Sequence, residues 1–274
     1  MARIERHDDV AAFYGRVSPF LLQNEAVHCV QLGFRATLEA DPHAYGDADP
    51  LLLAAVDSDQ VVGVAIRTPP FDLLLSLMDG ATAAAIADEL SGHALPGVTA
   101  PTVAGEAFLA RWPGSGSVLL EERLFELTEV IPPRPASGHL RWYEDGDRDV
   151  VLDWLAAFFA EALPEEHVDA ERVLARRRDS PGDFGIWDDG GPVSFAAFGS
   201  PTPNGMRIGP VYTPPELRGR GYASALTAAV SKHVLDSGRS FCFLGTDLAN
   251  PTSNSIYQRI GYRPIADVTR WRVA

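Results

Sequence analysis

The sequence predicts an α/β fold of the α+β, mixed-sheet kind, built as two tandem units, and three observations lead to that expectation. Residues 131–139 read IPPRPASGH, and prolines that fix φ and withhold N–H donors suit a join between units better than a helix interior or a central strand. On either side of this stretch the hydrophobic patterns come in the same order: helices, then a meander of strands, then one helix after a central strand. The chain of 274 residues is long enough for one large or two medium domains. The expected units are residues 1–135 and 136–274.

In the first unit an amphipathic stretch runs from Val17 to Leu38, followed by strand-like Leu51–Asp57, Val61–Thr68 and Phe71–Met78. An alanine-rich helix then covers roughly Ala81 to Leu90, and a strand is expected near Ala100–Leu109. In the second unit Leu140–Tyr143 reads as a strand. The spacing of Val150, Leu152, Leu155, Phe158 and Phe159 predicts a helix over Asp147–Ala162, with another over Ala170–Arg178. Strands Phe184–Trp187 and Pro192–Gly199 flank Asp188-Asp189-Gly190-Gly191, a hairpin signal. Met206–Thr213 has strand character, Pro214-Pro215 stop it, and a helix runs from Tyr222 to Leu235.

Composition narrows the function classes. Apolar residues make up 46% and charged residues 22% of the chain, the balance of a globular protein. The longest apolar runs fall far short of the roughly 20 residues that cross a bilayer, and residues 1–10 lack the apolar stretch of a secretory signal, so no membrane partner is expected. Neither Cys29 nor Cys242 sits in a CxxC or in a Cys/His spacing that suggests a metal or redox site, so no metal is expected and a reducing cytoplasm fits. A formal net charge of −14 without a basic cluster argues against nucleic acid as a partner.

The chemistry concentrates in the run Arg218-Gly219-Arg220-Gly221-Tyr222-Ala223, between a strand and a helix N-terminus. The first N–H groups of a helix lack intrahelical partners and lie at the positive end of the dipole, so they can bind a pyrophosphate. Gly219 and Gly221 let it approach the backbone, and Arg218 and Arg220 add positive charge. A P-loop is excluded by the missing Gly-Lys-Ser/Thr, and a Rossmann fingerprint by the missing third glycine.

These residues carry a resemblance. Arg218, Gly221 and Ala223 match the Arg/Gln-x-x-Gly-x-Gly/Ala motif of the GNAT superfamily of N-acetyltransferases. Asn250-Pro251-Thr252-Ser253-Asn254-Ser255-Ile256-Tyr257, closed by Ile260-Gly261-Tyr262, resembles the helix that follows in that family. The resemblance implies two tandem GNAT-like domains, the first a degenerate copy because Asp79-Gly80-Ala81-Thr82 stands where the phosphate loop would be. It implies acetyl-CoA as co-substrate and, as acceptor, a primary amine of a small molecule or peptide that attacks directly. It further implies that Val211-Tyr212-Thr213 offer backbone groups to the pantetheine arm, that residues 218–224, Ser224 included, with Asn250 and Asn254 contact the cofactor, and that Tyr257 protonates the departing thiolate. A phenol can do so as charge develops on sulfur.

No carboxylate occurs in Ile208–Thr213, so the general base is open. Glu165, Glu166, His167 and Asp247 stand near the expected cleft, each reading more readily as a solvated charge than as a base. A protein that binds CoA for regulation or scaffolding without turnover is the alternative, and Tyr257 discriminates against it, since a pure binder needs no proton donor beside the sulfur.

Overall fold

The structure, a computed structural model, describes residues 2–162, 168–178 and 183–273. In chain order the first half runs β1 (Arg3–His7), α1 (Val10–Leu21), α2 (Cys29–Ala40), β2 (Leu51–Asp57), β3 (Gln60–Arg67), β4 (Leu73–Leu75), α3 (Gly80–Glu89), β5 (Gly97–Pro101), α4 (Thr102–Arg111) and β6 (Gly116–Leu127). The second half runs β7 (His139–Trp142), α5 (Arg148–Ala162), α6 (Ala170–Arg178), β8 (Asp183–Asp188), β9 (Pro192–Gly199), β10 (Gly205–Tyr212), α7 (Tyr222–Asp236), β11 (Phe241–Asp247), α8 (Pro251–Arg259) and β12 (Arg263–Val273). Both halves read strand, two helices, three strands, helix, strand, helix, strand.

Two compact units result: Met1–Leu124 with Ile265–Ala274, and Phe125–Pro264. The chain thus changes unit within β6 and again within β12, whereas the sequence places the join at 135/136. In the first unit β1, β2, β3 and β4 are antiparallel neighbours and β4 runs parallel to β5. The last strand of the chain then pairs antiparallel with β5, from Val268 opposite Pro101 to Arg272 opposite Gly97. In the second unit β7, β8, β9 and β10 are antiparallel, β10 is parallel to β11, and the end of β6 lies beside β11.

Side-chain alternation along the strands gives each sheet two apolar faces. In β2, Leu52, Ala54 and Val56 pack with Phe13, Tyr14 and Val17 of α1. Leu51, Leu53 and Ala55 pack with Ile86 of α3 and Phe108 of α4. Because both faces are covered, the strand reads LLLAAV, a continuous apolar run. In the second unit Met206 and Ile208 of β10 join Leu226 and Val230 of α7, while Tyr212 joins Val151 and Leu155 of α5.

Two expectations are corrected, and two strands were not expected. Ala100–Leu109 is not a strand: β5 ends at Pro101, and α4 buries Ala104 and Phe108 at a spacing of four, the period of a helix. Gly105 lies there because Trp271 of β12 occupies the place its β-carbon would take. The stretch Val17–Leu38 is two helices separated by a 3-10 turn at Leu22–Asn24. Strands β1 and β6 escaped notice since neither buries an alternating face: β6 exposes most of its first six residues.

Candidate functional site

Strand β10 pairs with β11 over only three rows, Gly205 with Phe241, Met206 with Cys242 and Arg207 with Phe243. The register of β10 against β9 shifts between Ile208 and Val211, after which Val211 and Tyr212 still pair with Ala196 and Phe195. A bulge of this kind bends a strand and redirects its edge. Past Arg207, therefore, the edge of β10 facing β11 has no ladder to it, and the two strands part.

The loop leaving β10 is fixed at several points. Arg218 Nε donates to Thr213 O at 2.9 Å, and its Nη2 donates to Glu161 of α5 at 2.9 and 2.8 Å. The same guanidinium stands 5.6 Å from the centre of the Tyr212 ring. Ser194 Oγ donates to Tyr212 O at 2.8 Å and lies 2.8 Å from Thr213 Oγ1. Thus Arg218 holds the loop in shape and its charge is matched by Glu161, and the Tyr212 carbonyl is already taken.

Helix α7 begins with no side-chain cap. Gly219 and Gly221 adopt φ of +78° and +87°, the left-handed region that a residue with a β-carbon enters only at a cost. The first helical bond runs from Ala225 N to Gly221 O, so the N–H groups of Tyr222, Ala223 and Ser224 have no partner among the described residues. Arg220, exposed, touches only Glu216 O, at 3.3 Å. The helix start is anchored through Tyr222, whose hydroxyl donates to Asp189 Oδ2 at 2.6 Å, and Ser137 Oγ donates to the same oxygen at 2.6 Å. These two donors hold the Asp189 carboxyl below the usual carboxylate range.

Asn250 and Asn254 are engaged locally. Asn250 caps α8, accepting Ser253 N at 3.0 Å. Asn254 Nδ2 donates to Asp247 O at 3.0 Å and Asn250 O at 2.8 Å, tying α8 to the end of β11, while its Oδ1 is buried without a partner among the described residues. Tyr257 lies one turn further along, half-buried, its ring 6.3 Å from Phe125 and 5.8 Å from Tyr262. Its hydroxyl has no hydrogen bond among the described residues. Burial pushes its pKa up to about 12, so the proton stays on at neutral pH.

Of the residues considered for a base, Glu165, Glu166 and His167 lie outside the described residues. Asp247 is exposed and accepts Ala249 N at 2.7 Å. No group of three or more His, Cys, Asp and Glu side chains is placed to hold a metal among the described residues, and none of their helices is long and apolar enough to cross a membrane. Three residues that sequence reasoning passed over also shape the site: Glu161, Asp189 and Ser137. Asp189 sat within a recognised turn signal, but nothing in its spacing points to Tyr222.

The first unit closes the corresponding places with its own side chains. Asp79 caps α3 by accepting Thr82 N at 2.7 Å. At the end of β4, Leu75 O accepts Gln31 Nε2 at 3.2 Å, and just past it Leu77 N donates to His28 Nε2 at 3.0 Å.

Residues 148–262 match the family model described as Acetyltransferase (GNAT) family, which supports acyl transfer as the general chemistry. No curated protein sequence matches the chain. Among solved structures, a GCN5-related N-acetyltransferase from Sphaerobacter thermophilus aligns over 98% of this chain and 95% of its own at 16% identity and a TM-score of 0.60. An acetyltransferase of the GNAT family from Colwellia psychrerythraea aligns over 99% and 100% at 12% identity and a TM-score of 0.56. A tandem GNAT protein from the clavulanic acid biosynthesis pathway aligns over 99% and 98% at 14% identity and a TM-score of 0.55. At such identities the likeness is one of fold.

Proposed function

We propose that this chain transfers an acetyl group from acetyl-CoA to a primary amine of a small molecule or peptide, by direct attack, at one site within residues 136–274. Residues 1–135 are then a copy without a cofactor site of its own, and a chain with only two cysteines, neither in a CxxC pattern, suits work in the reducing cytoplasm. The observation that carries this proposal is the parting of β10 from β11 after Arg207, ahead of a helix whose first three N–H groups have no partner among the described residues. A parted strand offers the Val211 backbone groups and the Thr213 N–H to an extended amide-bearing arm, the Thr213 carbonyl being held by Arg218, and the bare helix start suits its pyrophosphate. The side chain of Asn254, whose Oδ1 has no partner among the described residues, is a further polar contact.

In the reaction the amine nitrogen attacks the thioester carbon, and the tetrahedral oxyanion collapses as the C–S bond breaks. Tyr257 donates its proton to the leaving sulfur and recovers one from solvent, while the amine's surplus proton leaves to water. A phenol held protonated by burial is suited to that single donation. Arg218 acts at one remove: paired with Glu161, it sets the loop on which Gly219 to Ser224 are presented.

Incubating the protein with acetyl-CoA and a panel of amines, aminoglycosides, peptides and amino-thiols, while free thiol is followed, tests this directly. Amine-dependent thiol release supports transfer. CoA binding without release by any acceptor favours a binding protein without turnover.

A further inference from the structure

We infer that the proline-rich segment 132–138 forms a wall of the phosphate site and that Arg134 contributes its guanidinium to the phosphates of CoA; this rests on the acetyl-CoA proposal above. The segment is tied to the start of α7 at several points. Ser137 Oγ and the hydroxyl of Tyr222, first residue of α7, share Asp189 Oδ2 at 2.6 Å each. Trp187 Nε1 donates to Ser137 O at 2.8 Å. A β-carbon built on Gly221 would stand 3.6 Å from the β-carbon of Ala136. Residues 136–137 therefore pass directly beside the glycine loop.

Charge supplies the second step. CoA brings a pyrophosphate and a 3′-phosphate to a chain of formal net charge −14. Of the two loop arginines, Arg218 is already matched by Glu161, which leaves Arg220. Arg134 is exposed and makes no hydrogen bond or ion pair among the described residues.

Reach and direction supply the third. Pro132, Pro133 and Pro135 fix their own φ, and Pro135 restricts Arg134 to extended conformations. Such a segment rises about 3.1 Å per residue and turns once in about three residues. Where residues 134–137 keep that period, Arg134 falls on the side of the chain that Ser137 turns toward Asp189, roughly 6 Å of backbone from Ala136 and within one arginine length of the loop. The proline-held backbone has little freedom left to lose when a ligand binds.

Calorimetric titration of the full chain with CoA and with dephospho-CoA, for wild type, Arg134→Ala and Arg134→Lys, tests the assignment. Arg134→Ala is expected to weaken CoA about five- to thirtyfold, with Lys restoring part of the loss and the melting temperature unchanged. A loss confined to CoA assigns the guanidinium to the 3′-phosphate, and an equal loss with both ligands assigns it to the pyrophosphate; either supports the inference. Wild-type affinity for both ligands in Arg134→Ala overturns it and leaves the acetyl-CoA proposal standing, whereas a wild-type protein that binds no CoA overturns both.

Discussion

The Asp79 carboxylate accepts the backbone N–H of Thr82 at 2.7 Å and so closes the N-terminus of α3 with the protein's own anion. In the second half the same place in the order of elements falls to Gly221, which has no side chain to offer. A helix start already holding a carboxylate has neither the free donors nor the positive potential that a pyrophosphate needs. One CoA per chain is therefore expected in calorimetric titration. A stoichiometry of two would show that the first unit binds as well.

Giving α7 the cap that α3 already has should reproduce the closed state. Gly221→Asp puts a carboxylate where the phosphate is expected, and its β-carbon meets Ala136 only at ordinary contact distance, 3.6 Å. Aspartate tolerates the left-handed conformation at a cost of about 1 kcal/mol, so the fold survives. CoA affinity is expected to fall at least about tenfold by competition from the new cap and charge repulsion. Unchanged affinity, measured by calorimetry, would mean that the phosphate binds elsewhere.

His28 makes the first unit sensitive to acid. Its Nδ1 lies 2.9 Å from Leu21 O, and its Nε2 accepts the N–H of Leu77, an arrangement that needs the neutral ring. Burial lowers its pKa below the ordinary value of 6.5, so as pH falls past that value the unfolded chain takes up a proton that the folded chain refuses. Stability is fully present above that pH and declines below it. In denaturant titrations at pH 7.5 and 5.0, wild type should lose up to about 1 kcal/mol more than His28→Gln, within the linkage limit of about 1.4 kcal/mol per pH unit for one group. Equal losses would remove His28 from the acid response.

Much of the architecture is legible because it rests on local patterns. The run LLLAAV must be buried on both faces, DDGG must turn, and a glycine-spaced loop before Tyr222 must open a helix. The last strands were not legible in this way. Whether β12 lies beside β5 depends on Trp271 finding the gap at Gly105, a contact 166 positions apart that leaves no local trace. The site divides similarly. Arg218 is recognisable from its motif, but its engagement with Glu161, 57 positions away, follows from how α5 packs on β10. Asn250 illustrates the limit: the sequence offers it only as a ligand contact, and its side chain is occupied as the cap of α8.

The most direct measurement is the single-turnover rate of thiol release from acetyl-CoA, with the best amine of the panel, for wild type and Tyr257→Phe. The ring and its packing on Phe125 and Tyr262 survive the substitution, and only a hydroxyl free of hydrogen bonds among the described residues is lost. An interaction made as the thiolate departs appears in the rate and not in ground-state binding. The chemical step is expected to slow by about a hundredfold to ten-thousandfold, with CoA affinity changed less than about twofold. A Phe variant that releases thiol at the wild-type rate would contradict the account and return Tyr257 to the core.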